Sequence, residues 1–209
     1  MATPLKVLSL AALCLIVAAG IAAALYLRHA APRADLITGT LIEPSRELKD
    51  FSLIDYDHRE FGSANLRGHW SILFFGYTHC PEFCPATLAT LAALRKRLRS
   101  DPGAVSPQVI FVSVDAKRDT PEQLKRYVPR FDPSFIGLTA TDQPHSEAVA
   151  KEFGVAVGIH DAGQGDYIVD HSTAIFVMDP LGKIAAVLTG PFSVDALLSD
   201  FRLILAARA

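Results

Sequence analysis

The sequence predicts an α/β domain, a mixed central sheet with helices on both faces, preceded by one N-terminal transmembrane helix. Three observations carry this expectation. Val7 to Leu27 is a run of 21 residues without a charge, long enough to span a bilayer as a helix. Two β-branched and aromatic runs, Ser71–Tyr77 and Gln108–Val114, have the continuous apolar character of strands buried on both faces. Helical periodicity or a helix-start signal follows each run, and the chain closes with a hairpin pattern and one more helix.

In chain order, residues 1–6 form a short tail and 7–27 the anchor. The apolar run exceeds the roughly 7–15 residues of a cleavable signal core, so it reads as retained, with cleavage near Ala31 as the competing reading. Lys6 stands on one side of it, Arg28 and Arg33 on the other, so flanking charge does not orient it. Residues 28–44, with Pro32 and Pro44, read as a linker, and 45–209 as the folded domain. Leu48–Asp55 alternates as a strand and turns through Asp55–Arg59 into a second near Phe61. After the buried strand 71–77, Pro85 suits a first helical position. Leu88, Leu91, Leu94 and Leu98 then repeat at helical spacing. Strand 108–114 ends at Asp115. Thr120-Pro121-Glu122-Gln123 is a capping box opening a helix to about Val128, and a further helix over 143–153 stops at Gly154. Gly158 to Asp166 reads as a loop. Thr173–Met178 and Lys183–Leu188 form a hairpin across Asp179-Pro-Leu-Gly182, and Val194–Ala206 is the last helix.

Two hundred and nine residues suffice for one anchor and one ordinary domain. A net charge of -2 gives no reason to expect nucleic acid. The local basic run Arg95–Arg99 suits the solvated last turn of its helix, where cations complement the dipole. Of three cysteines, Cys14 lies in the anchor, leaving Cys80 and Cys84 as the only pair within the domain. One short-loop pair is a redox or metal pair rather than a disulfide scaffold.

This succession of elements is the thioredoxin-like arrangement, and its geometry gathers distant residues. Strands 71–77 and 108–114 are expected parallel, so the Cys80–Cys84 turn and Asp115 share their carboxyl edge, where α/β sites form. Strand 173–178, antiparallel to them, begins on that edge and delivers His171. Cysteines at a helix N-terminus are poised as thiolates. Two thiolates and an imidazole suit copper first and zinc second, with thiolate favouring Cu(I) and imidazole helping to hold Cu(II). Cysteines four apart can also close a disulfide, so metal binding and thiol oxidation would exclude one another. His79 is the one other histidine beside the pair, and its side chain is expected to point elsewhere. Asp115 and Asp119 are expected to end a strand and lead into the capped helix, with orientation of a ligand as the alternative.

Phe75-Gly-Tyr-Thr-His-Cys-Pro-Glu-Phe-Cys-Pro85, Val114-Asp-Ala-Lys-Arg-Asp-Thr-Pro-Glu122 and Asp166-Tyr-Ile-Val-Asp-His-Ser172 together resemble the Sco/SenC family. The resemblance covers about residue 45 onward and includes an anchor ahead of the domain. It departs at Ala116, where the family usually has proline. The resemblance implies copper, Cu(I) and Cu(II), held by Cys80, Cys84 and His171. It also implies a non-enzymatic chaperone role at the binuclear copper site of cytochrome c oxidase subunit II, with thiol reduction as a further capacity. An upstream copper donor and a thiol reductant would be its partners, and the domain would face the periplasm or outside from the cytoplasmic membrane. The rivals are a membrane-anchored thiol–disulfide oxidoreductase and a copper or redox sensor. Against the first stand the CxxxC spacing and the lack of proline between Tyr167 and Met178.

Overall fold

The computed structural model describes residues 15–22, 35–163 and 166–208. Residues 15–22 are helical; the rest of the predicted anchor 7–27 lies outside the described residues. Among the described residues no helix is long and apolar enough to cross a membrane.

From Asp35 the chain forms one compact unit. Its main sheet has eight strands: β1 (Gly39–Arg46), β2 (Ser52–Asp55), β3 (Glu60–Gly62), β4 (Ser71–Gly76), β5 (Gln108–Ser113), β6 (Ile136–Thr139), β9 (Ile175–Met178) and β10 (Ile184–Leu188). Their order is β1-β10-β9-β4-β5-β6-β2-β3. β4, β5 and β6 run parallel, and β9 is antiparallel to β4. Strands β7 (Val157–Gly163) and β8 (Asp166–His171) form a separate two-stranded sheet. The helices are α1 (Phe83–Arg99), α2 (Pro121–Tyr127), α3 (Gln143–Phe153) and α4 (Val194–Ala206).

Alternation along β4 divides the core. Ile72 and Phe74 face α1 and α4, meeting Leu88, Leu91, Leu197 and Phe201. Leu73 and Phe75 face α3, meeting Val149 and Phe153. Both faces are covered, which is why this strand reads as an unbroken apolar run. The basic end of α1 pairs within the domain, Arg97 with Asp195 at 3.5 Å and Arg99 with Asp132.

Four details differ from the sequence reading. The segment read as linker contains β1, which pairs with β10, so the compact unit begins ahead of residue 45. Pro44 is compatible with a strand here because β1 is the sheet edge and its register is broken between Leu41 and Arg46. Ahead of β1, the carboxylate of Asp200 on α4 accepts from Ile37 N at 2.7 Å, Thr38 N at 2.8 Å and Thr38 Oγ1 at 2.6 Å. Helix α1 starts at Phe83 rather than Pro85, which leaves the proline in the first turn, where its missing N–H costs no intrahelical bond. Residues 158–163 and 166, read as part of a loop, lie instead in β7 and β8. The glycines and aspartates of β7 hid the strand because both of its faces are exposed from Ile159 onward and carry no apolar alternation. The short strand β6 carried too few residues to announce itself.

Candidate metal centre

The centre is built on the carboxyl end of β4. The strand stops at Gly76, Tyr77 is buried, and residues 78–82 turn into α1. The turn is held from beneath by Asp119, which is fully buried. Its carboxylate accepts from Thr78 N at 2.9 Å, Thr78 Oγ1 at 2.6 Å and Ser113 Oγ at 2.7 Å. Burial pushes this carboxyl above its ordinary range, and the three donors act against that shift. His79 is half-exposed beside this network, with Nδ1 3.9 Å from Asp119 Oδ1. It faces Thr78 and Asp119, in keeping with its expected direction away from the cysteines.

Helix α1 has no side-chain cap from Glu82, its N-cap residue. Cys80 Sγ takes that place, accepting from Cys84 N at 3.4 Å. The helix N-terminus and the thiol stabilise one another, since an unpaired N–H favours a negative sulfur. Contact with the Cys84 side chain, then the backbone N–H groups of Cys84 and Glu82, brings the Cys80 thiol down to about 5. The same contact, followed by burial, pushes the Cys84 thiol up. The pair thus favours the thiolate at Cys80 and the proton at the fully buried Cys84.

His171 arrives on the last residue of β8. Tyr167, Val169 and His171 lie on the inward face of that strand by its two-residue alternation. His171 Nδ1 donates to Ser172 O at 2.9 Å, which leaves the lone pair of the neutral ring on Nε2. Nε2 is 3.6 Å from Cys84 Sγ. Edges of Tyr77 and Phe74 flank the imidazole, with ring centroids at 5.9 and 6.3 Å. At the far end of β8, Tyr167 Oη donates to Asp115 Oδ1 at 2.6 Å, and Arg118 lies 3.7 Å over the Tyr167 ring.

The sequence profile of SCO1/SenC matches residues 39–206. The chain belongs to the SCO1/SenC family. It is 37% identical over 160 residues to the mitochondrial SCO2 homolog of Bos taurus, spanning 76% of this chain and 59% of that protein. It is 32% identical over 157 residues to a putative copper-binding protein of Stutzerimonas stutzeri, spanning 75% and 76%. The crystal structure of Arabidopsis thaliana ScoI with copper bound superposes with a TM-score of 0.72 at 34% identity, covering 77% of this chain and 98% of that one. The thioredoxin-like arrangement expected from the sequence is thus the Sco fold.

In this SCO1/SenC chain the predicted residues Cys80, Cys84 and His171 are neighbours rather than a closed coordination shell. Among the described residues no three His, Cys, Asp or Glu side chains already stand at the separations of a metal site. The donor set nonetheless fits a soft ion. Cys80 favours the thiolate, the Cys84 sulfur stands 3.6 Å from Nε2 of an oriented imidazole, and no carboxylate stands among them that would draw a hard cation. Three residues of this Sco centre escaped sequence reasoning in their present roles. Gly76 makes room for the Cys84 sulfur, since a Cβ there would stand 2.8 Å from Sγ. A glycine closing an apolar strand just before the cysteines was its signal. Asp119 and Arg118 bind the turn and the hairpin, and no local pattern distinguishes such residues from ordinary strand-end polar groups.

Proposed function

We propose that this SCO1/SenC chain is a membrane-anchored copper chaperone. It would carry one copper on Cys80, Cys84 and His171 and deliver it to the binuclear site of cytochrome c oxidase subunit II. The observation that carries this reading is the meeting of His171 Nε2 with Cys84 Sγ at 3.6 Å, beside a Cys80 sulfur whose thiol is drawn well below its ordinary range. Copper bound there would be cargo, held by soft donors that suit Cu(I) and an imidazole that suits Cu(II).

The chain's own residues divide the work. Cys80, half-buried, is the sulfur an incoming donor meets first, and its low pKa means that no proton must leave before it ligates. Cys84 gives up its proton as metal arrives. His171 Nδ1 is engaged by Ser172 O, so Nε2 is the nitrogen the neutral ring turns toward the cysteines. Three protein donors leave coordination open, and an acceptor's own cysteines and histidines can replace them one at a time. The copper-bound Arabidopsis structure and the copper-binding name of the Stutzerimonas relative support the metal.

The anchor is the apolar run 7–27, whose described part exposes Leu15, Ile16, Val17 and Ile21. It would hold the domain on the periplasmic or outer side of the cytoplasmic membrane and raise the effective concentration of donor and acceptor on one surface. An upstream copper donor and a thiol reductant complete the cycle, because a Cys80–Cys84 disulfide cannot bind metal. The paired thiolate and protonated thiol also favour a second reading, reduction of the acceptor's disulfide. There Cys80 attacks, a mixed disulfide forms, and Cys84 resolves it as the acceptor leaves with two thiols.

Deleting the gene should lower oxidase activity most under copper limitation, with His171→Ala behaving like the deletion. Unchanged oxidase activity at low copper, alongside a thiol-redox defect, would replace the chaperone reading with the oxidoreductase one.

A further inference from the structure

The hairpin that carries His171 shares no strand ladder with the main sheet. Side chains therefore set its attitude. Near its base, Ala156 and Ser172 exchange hydrogen bonds, Ala156 N donating to Ser172 Oγ at 3.0 Å and Ser172 N to Ala156 O at 3.1 Å. These fix a pivot close to His171 but not the tilt of the strands. In the middle, Val169 is buried in the core. A further grip lies about 13 Å from His171, four residues along β8 at roughly 3.3 Å each: Tyr167 Oη donates to Asp115 at 2.6 Å, Lys117 Nζ stands 5.4 Å over the Tyr167 ring, and Arg118 makes most of the contacts.

Arg118 is largely buried, with 18% of its side chain exposed. Its Nε donates to the fully buried Asp115, and its Nη1 donates to Tyr167 O at 3.0 Å and to Asp166 Oδ1 at 3.2 Å. The guanidinium plane lies 3.7 Å over the Tyr167 ring and 5.8 Å from the Tyr77 ring. Tyr77 is the residue whose edge meets His171. The next residue, Asp119, holds the cysteine turn through Thr78. One short turn, 115–119, thus grips the cysteine half and the histidine half of the centre.

We propose that Arg118 is a positioning residue that sets the tilt of the β7–β8 hairpin and thereby the presentation of His171 to Cys84. This rests on the copper reading above for its functional meaning, though not for its geometry. Losing the grip lets the hairpin turn about its base, rotating the face that bears the imidazole, while both sulfurs stay fixed by α1 and Asp119. The consequence is selective. Cu(II), which needs the nitrogen, is weakened, and Cu(I), which the thiolates hold, is not.

The test uses Arg118→Lys, which keeps the charge and stem but cannot reach Asp115, Asp166 and the Tyr167 carbonyl together. In the metal-free reduced protein, nuclear Overhauser contacts between the His171 ring and the Tyr77 and Phe74 rings should be lost or strongly weakened. In the Cu(II) form, nitrogen hyperfine structure in the electron paramagnetic resonance spectrum should diminish and affinity should fall about tenfold, with Cu(I) affinity at the wild-type level. Ring contacts and nitrogen coupling unchanged from wild type would overturn the proposal. If Arg118→Lys does not fold, Arg118→Gln, which removes the fork that spans Asp115, Asp166 and the Tyr167 carbonyl, is read by the same contacts, and unaltered His171 contacts there would overturn the proposal equally. If the wild-type protein takes up no copper, the chaperone reading falls, and the metal-free ring contacts still decide the role of Arg118.

Discussion

The sulfur of Cys84 rests against the α-carbon of Gly76 so closely that a methyl group there would stand 2.8 Å from it and 2.8 Å from Phe111 Cε2. Gly76 ends β4 in ordinary contact with its neighbours, so its value here is the space it leaves. Gly76→Ala should push the sulfur and the Phe111 ring apart, costing about 1–3 kcal/mol as overpacking usually does. Urea unfolding should show a lower midpoint at unchanged slope, and copper uptake should weaken with it. An unshifted midpoint would mean that the cysteine turn yields freely.

The two thiols should titrate far apart. With Cys80 held at about 5 by Cys84 and the helix N–H groups, its alkylation rate in the metal-free protein should rise to half its plateau near pH 5. Cys84 should stay unreactive until the fold opens. In the unfolded chain a thiol titrates near about 8.5, so the folded pKa is depressed. The stability this contributes is complete above that value and is lost as pH falls through about 5. A single alkylation step near pH 8.5 would refute the assignment.

Removal of ligands should separate the oxidation states. Cys80→Ala or Cys84→Ala should abolish tight Cu(I) binding, because two thiolates are the soft donors. His171→Ala should damage Cu(II) binding more than Cu(I). Full copper stoichiometry in the double cysteine variant, measured by metal analysis of the purified domain, would place the metal elsewhere.

Oxidation should act on the same atoms. Closing a Cys80–Cys84 disulfide removes both thiolates and the sulfur that caps α1, so oxidised protein should not take up copper until reduced. Thiol trapping under denaturing conditions should find two fewer reactive groups in the oxidised domain. Equal copper uptake by both forms would show that the sulfurs do not hold it.

Asp119→Ala should cost about 1–3 kcal/mol, the penalty for leaving buried donors unpaired, since Thr78 N, Thr78 Oγ1 and Ser113 Oγ all donate to it. Asp119→Asn, which keeps one acceptor oxygen, should fall between alanine and wild type. Amide hydrogen exchange should report the loosened turn at Thr78 ahead of any change in α4.

Long apolar segments were legible in the sequence because both faces of their strands are buried: β4 and β5 announce themselves by Ile72–Phe75 and Val109–Val112 alone. The C-terminal hairpin was equally legible from its turn. β7 was not, because residues on both of its faces are solvated and leave no apolar alternation. β1 was masked by Pro44, whose acceptance depends on an edge position that only the assembled sheet reveals. At the centre, Cys80, Cys84 and His171 could be chosen from residue chemistry and expected topology. Arg118 could not, since its role arises from Tyr77 and Tyr167, which are ninety positions apart in sequence and meet only in space.

The grip of Asp200 on residues 37 and 38 has a consequence for proteolysis. A cut ahead of Asp35 would leave that grip intact. A cut only a dozen residues later, within β1, would strip β10 of its neighbour and leave Asp200, which is fully buried, with its three donors gone. The bare β10 edge is then a template for pairing with another chain. Cleavage at the first site would leave the compact unit whole, and at the second should yield a fragment that self-associates.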